Sequence, residues 1–232
     1  MSLESRYRTN YVITRTISNF LILSGIFILA FSLFPTIRIE AWYLMKEFRG
    51  VTFSLDKTSA TTTPTKDHSP FGFLLSKYPP IKVTPVNQDY SIIIEKIGVN
   101  APIVSDVDVA KRSDYMEALK HGVAEAAGSV HPGEVGNTYL FAHSALDFWD
   151  FGPYALVFTL LNRVENGDRV VLFYRGQRYD YTIANKEIVK GFNTEPLGRQ
   201  YDSPTLTIQT CDPPGTALNR LIVTAKLVKV GY

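Results

Sequence analysis

From Thr16 to Ile37 the chain carries no charged residue and consists mostly of Ile, Leu and Phe. No other stretch narrows the possible structures as much. At about 1.5 Å of rise per residue, such a run crosses the roughly 30 Å hydrocarbon layer as a helix. A single segment has no other way to satisfy its backbone N–H and C=O groups in lipid. The flank before it, Met1–Arg15, is basic, with Arg6, Arg8 and Arg15 against Glu4. Basic flanks stay in the cytoplasm, which predicts a single-pass protein of the cell membrane with its remainder outside. A cleaved signal peptide is the competing expectation, because Ala30-Phe31-Ser32 is a small-x-small triplet. Cutting there would leave Leu33 and Phe34 in the apolar run, which favours an uncleaved anchor. A buried helix of a soluble core fits poorly with apolar character all round.

Residues 38–85 read as an extracellular juxtamembrane segment and stalk. Arg38–Gly50 suits a helix at the membrane surface, where the rings of Trp42 and Tyr43 match the interfacial layer. Lys57–Pro70, KTSATTTPTKDHSP, is too rich in Thr, Ser and Pro to bury a core and reads as the stalk, with His68 solvated. Phe71–Pro85, containing Tyr78-Pro79-Pro80, either packs on the following domain or belongs to the linker.

The globular part is expected over residues 86–232. Ser91–Ile97 reads as a strand, with a shorter one at Ala101–Val104. A short helix follows at Tyr115–Lys120, ended by Gly122. Asn137–Ala142 reads as another strand. Arg169–Tyr174 and Arg178–Asn185 form a hairpin around Gly176-Gln177, and Glu187–Val189 extends its second arm. Thr205–Thr210 alternates apolar and polar and runs into Cys211. Pro213-Pro214-Gly215 then turns the chain into the β-like run that starts at Arg220. Many short strands without long helices between them predict a mainly all-β fold, a closed or nearly closed barrel.

Cys211 is the only cysteine, so no internal disulfide is possible; a lone thiol in an exported protein points to reactivity or intermolecular pairing. A thiol is mostly protonated at neutral pH and needs a cation or an imidazole beside it to become a good nucleophile. A hairpin-like return brings Arg220 near Cys211. The candidate imidazole is His143, at the end of the Asn137–Ala142 strand. His121, after the short helix, and His131, before a Pro-Gly turn, read as surface residues. Positive and negative residues nearly balance, 24 Lys and Arg against 22 Asp and Glu, so no nucleic-acid partner is indicated.

At these residues the chain resembles the sortases. TIQTC at Thr207–Cys211 resembles the family's TLxTC signature, with Ile208 in place of the usual leucine. Arg220 stands where the family has its essential arginine. PGEVGN at Pro132–Asn137, followed by YLFAHS, resembles the segment leading to the family's histidine, with Ala142 where many members have glycine. The resemblance covers roughly residues 90–230. It implies a sortase-like closed β-barrel with short helices, preceded by the N-terminal transmembrane helix, and His143, Cys211 and Arg220 as catalytic residues. It further implies a cysteine transpeptidase acting on exported proteins that bear an LPxTG-like signal. The amine acceptor would lie on cell-wall peptide or a pilin-like subunit.

No cofactor is expected. Asp106, Asp108 and Asp114 are the carboxylates that would hold calcium, as in some sortases, although they lack a dense oxygen-ligand spacing. Trp149 and Phe148, in the aromatic loop Leu146–Tyr154, either line a substrate groove or cap the barrel. Lys190–Pro204, a polar connection before the cysteine strand, stands where the sortase fold forms part of its groove. Two other readings stay open: a cysteine hydrolase of the same geometry, and a membrane-tethered β-domain that catalyses nothing.

Overall fold

In a computed structural model, which describes residues 3–51, 53–55, 81–144 and 154–231, the strand-forming sequence closes into a barrel. Helix α1 (Leu3–Phe48) is followed by two short strands, β1 (Phe53–Leu55) and β2 (Ile81–Val83). The barrel comprises β3 (Tyr90–Ile94), β4 (Val99–Val107), β5 (Val123–Ala126), β6 (Gly136–Phe141), β7 (Arg169–Tyr174), β8 (Gln177–Lys190), β9 (Pro204–Asp212) and β10 (Asn219–Gly231). Helix α2 (Arg112–His121) lies between β4 and β5. The eight strands close in the order β10-β8-β7-β3-β4-β5-β6-β9. Closure gives every barrel strand a partner on both sides, so none stands at an open edge of the barrel.

The chain divides into two compact units, Met1–Ile39 and Glu40–Tyr232. In the first, the described stretch Tyr11–Ser32 is long and apolar enough to cross a membrane, as an anchor or as a signal. Successive residues Phe20, Leu21, Ile22 and Leu23 are all more than half exposed. Among the described residues these side chains bury against nothing, and apolar residues on every face are what a helix that crosses a membrane shows.

The second unit begins ahead of the Thr/Ser/Pro-rich stretch. Tyr43 is buried beneath the Arg163 guanidinium, 5.6 Å from its ring centroid, and Arg163 donates to Glu40 at 2.7 Å. Trp42 stays exposed. The two aromatic neighbours therefore serve different surroundings, because adjacent residues on a helix point about 100° apart. The stalk-like residues Lys57–Pro70, His68 among them, and residues 71–80 lie outside the described residues. The chain on either side of them is paired, Leu55 with Val83 in parallel β1 and β2. Val83 also packs on Ile93, Val171 and Phe173.

That packing explains the apolar run in β3. Ile92 and Ile94 face one side and Ile93 the other, and all three are buried, so the strand shows no polar alternation. It ends at Ile94, and Glu95–Ile97 forms a 3-10 turn closed by Gly98. Strand β4 is longer than the sequence suggests, because its outer half pairs with β5 across a bulge between Val104 and Val107. Gly122 leaves α2 where only glycine fits: a Cβ there would stand 2.2 Å from the Pro102 carbonyl oxygen. The hairpin between β7 and β8 turns at Arg175 and Gly176, both with positive φ (50° and 78°). That geometry matches the right-handed twist of the flanking strands. Beyond it, β8 continues to Lys190 and pairs with β10 from Asn219 to Gly231, with register shifts between Thr224 and Ala225 and between Leu227 and Lys229.

Candidate active site

Strand β9 organises the site. Leu206 and Ile208 are fully buried and point into the barrel, so alternation turns Thr205, Thr207, Gln209 and Cys211 to the opposite face. Its two neighbours differ in kind. Strand β10 runs antiparallel and pairs Arg220 with Cys211; β6 runs parallel and pairs Phe141 with Gln209. Two residues further along each of these parallel chains stand His143 and Cys211.

Side-chain and main-chain bonds carry the parallel register past the strand end. The Ala142 N–H donates to the Gln209 carbonyl at 3.2 Å. Thr210 Oγ1 donates to the Ala142 carbonyl at 2.9 Å, and Ser144 Oγ donates to the Cys211 carbonyl at 2.8 Å. The Phe158 N–H donates to the His143 carbonyl at 3.3 Å. His143 is thus bracketed against the end of β9, and the strand register brings the three residues singled out in the sequence to one end of the barrel.

All three side chains are half-buried. Arg220 Nη1 lies 3.5 Å from Cys211 Sγ and also donates to the Asn219 carbonyl at 3.1 Å. Burial pushes the Cys211 thiol up, and the Arg220 charge partly offsets that rise. Burial pushes the His143 imidazole down. Both effects have one cause: a partly dry site penalises whichever form is charged. The geometry places a half-buried thiol, an imidazole and a guanidinium at one rim.

Further residues shape the same face. The Tyr139 hydroxyl donates to Gln209 Oε1 at 2.7 Å, and Thr207 Oγ1 donates to Asn137 Oδ1 at 2.8 Å. In the connection between β8 and β9, Arg199 holds Glu187 of β8 and Glu195, which ties that loop to the barrel. Sequence reasoning did not single out Ser144, Gln209 or Arg199. The Arg199–Glu195 spacing of four residues was the one available sign, since such pairs meet on a helical turn.

The remaining expectations fall elsewhere. Lys111 stands between Asp108 and Asp114, at 3.6 and 3.8 Å, and Asp106 sits at a positive φ of 56°. Among the described residues, no group of three or more His, Cys, Asp or Glu is placed to hold a metal ion. His121 contacts Glu117 at 3.2 Å on the surface. His131 stacks on Tyr174, with ring centroids 4.9 Å apart. Phe148 and Trp149 lie outside the described residues.

Fold and site together define a closed β-barrel with a thiol, a guanidinium and an imidazole at one rim. A sortase-domain family model matches residues 92–228, and the chain belongs to the sortase family, a family of cysteine transpeptidases. Among solved structures, sortase C-1 from Actinomyces oris is 27% identical, covering 62% of this chain and 76% of its own, with a TM-score of 0.50. A Clostridium perfringens sortase D5 transpeptidase is 25% identical, covering 63% of this chain and 82% of its own, also with a TM-score of 0.50. Clostridium perfringens sortase C, solved with a C-terminal cell wall sorting motif, shares the fold at 23% identity and a TM-score of 0.50, covering 60% of this chain and 69% of its own. No curated protein matches the chain.

Proposed function

We propose that this chain is a membrane-anchored transpeptidase that cleaves an LPxTG-like sorting signal of exported proteins and joins the new acyl end to an amine. That amine belongs to cell-wall peptide or to another surface subunit. The observation that carries the reading is the Cys211–Arg220 register pair, with Nη1 at 3.5 Å from Sγ, at the point where His143 is bracketed. Residues 1–15 form a cytoplasmic tail, 16–37 the span, and the remainder lies outside the cell.

Burial raises the Cys211 thiol and lowers the His143 imidazole, which favours the neutral form of each at rest. Cys211 passes its proton to His143, and Sγ attacks the carbonyl carbon of the Thr in the signal. Arg220 donates to the oxyanion that forms; its charge persists at every relevant pH and its donors lie in a planar fork. The C–N bond breaks as His143 returns the proton to the departing amine, leaving a thioester on Cys211. An incoming amine attacks the thioester and loses a proton to His143. The C–S bond breaks, and the thiol is restored.

The test is product analysis with an LPxTG-like peptide and an added amine. Transfer to the amine, abolished by Cys211→Ala, supports the reading. Hydrolysed acid alone at high amine concentration identifies a cysteine hydrolase instead. Unchanged function in cells carrying Cys211→Ala identifies a non-catalytic tethered domain.

A further inference from the structure

Ser144 follows the candidate histidine and is almost fully buried, at 1% exposure. A serine hydroxyl in such a place needs a partner, because burying it without one is costly. Its partner is the main chain of the candidate nucleophile: Oγ donates to the Cys211 carbonyl at 2.8 Å. The carbonyl of Ser144 accepts from the Gly215 N–H at 2.6 Å, beyond the turn that follows Cys211. One residue therefore clasps the β9–β10 connection from both of its polar ends. Strand pairing cannot do this work, since β6 stops at Phe141, two residues short of His143.

On the opposite side of His143, Ala142 is held by β9 through its own N–H and carbonyl. The His143 carbonyl also accepts from the Phe158 N–H at 3.3 Å, but the Ser144 hydroxyl is the bond that ties the chain just beyond the histidine to the Cys211 main chain itself, and losing it loosens that register. Small displacements matter here, because misplacing a reacting group by about 1 Å costs on the order of a hundredfold in rate.

We infer that Ser144 is a positioning residue: its hydroxyl locks the loop carrying His143 to the carbonyl of Cys211 and so sets the alignment of imidazole and thiol. This rests on the proposed roles of Cys211 and His143. It adds that the alignment depends on a hydroxyl that touches neither substrate nor sulfur.

The experiment compares the full-length protein with Ser144→Ala, Ser144→Thr and Ser91→Ala. Ser91 is an equally buried serine on β3 whose hydroxyl donates to the Asn87 carbonyl at 2.7 Å; it controls for the loss of one buried hydrogen bond. Two quantities are read: kcat and KM for transfer of an LPxTG-like peptide to an amine, and the pH profile of iodoacetamide alkylation of Cys211.

Ser144→Ala is expected to lower kcat roughly 10- to 100-fold with KM within about twofold. Its alkylation profile should move to higher pH. Ser144→Thr, which keeps the hydroxyl, should recover most of both, and Ser91→Ala should change neither. Wild-type kcat and alkylation in Ser144→Ala, or an equal loss of kcat in Ser91→Ala, overturns the inference. Should Ser144→Ala fail to fold, Ser144→Cys, read by kcat alone, keeps the size while weakening the donor. If the wild-type chain transfers nothing, the proposed function falls, and the alkylation arm still decides whether Ser144 aligns the pair.

Discussion

Cys211 and Arg220 are partners in the β9–β10 ladder, nine residues apart in sequence, with the guanidinium Nη1 3.5 Å from the sulfur. The Arg220 charge opposes the rise that burial imposes on the thiol. In the proposed mechanism the same group also donates to the oxyanion.

Replacing Arg220 by Gln should therefore do two separable things. Loss of one preorganised donor commonly costs about a hundredfold or more in kcat. The alkylation midpoint of Cys211 should also rise, since the charge that opposes the burial effect is gone. Steady-state kinetics and iodoacetamide trapping across pH check the two parts. A drop in kcat with an unmoved midpoint would show that Arg220 does not act on the thiol.

The pH dependence of turnover should be bell-shaped with widely separated limbs. Burial lowers His143 and raises Cys211, so the acid limb should fall below the ordinary histidine range and the alkaline limb above the ordinary thiol range. Between them the neutral pair dominates, and the reactive thiolate–imidazolium form stays a constant minor fraction. Both limbs drawn toward neutrality would show that the resting pair is ionic.

Glu125 on β5 is buried at 3% exposure and accepts from the Tyr90 hydroxyl at 2.5 Å. Burial raises its pKa above the ordinary carboxylate value. In the window between the unfolded and the raised folded value, the folded state binds more protons, so stability should fall as pH rises through it. Glu125→Gln should flatten that slope in urea titrations run across pH. Glu125→Ala should lose about 1–3 kcal/mol by leaving Tyr90 unsatisfied.

Tyr43 distinguishes a helix end that belongs to the catalytic unit from one that only tethers it. Because its ring is buried beneath Arg163, Tyr43→Ala should destabilise the barrel by about 2–4 kcal/mol. Trp42→Ala, at an exposed neighbour, should shift stability by no more than about 0.5 kcal/mol. Denaturant midpoints of both variants in detergent test this.

Much of the molecule is readable along the chain. The uncharged run Thr16–Ile37 calls for a helix by composition alone. The alternation of Thr205–Thr210 and the Pro-Pro-Gly turn after Cys211 call for the hairpin that delivers Arg220. The strand expected over Ser91–Ile97 shows as the apolar run Ile92–Ile94, although its burial on both faces emerges only in the fold. These signals survive because periodicity and turn chemistry act over a few residues.

The tertiary structure decided what depends on distant partners. The chain at His143 lies beside the end of β9 only because β6 and β9 pair in parallel, and parallel pairing joins strands that no short turn connects. Ser144 has no local pattern at all; its role exists only once that pairing brings the Cys211 carbonyl to it. Tyr43 and Trp42 look alike as sequence, and only the tertiary structure separates them, burying Tyr43 to 5% exposure while Trp42 stays at 46%. Local chemistry thus set the elements and the Arg220 contact to the sulfur. Closure of the barrel set the place of His143 beside the end of β9, because the free energy that holds it comes from burying faces that are far apart in the chain.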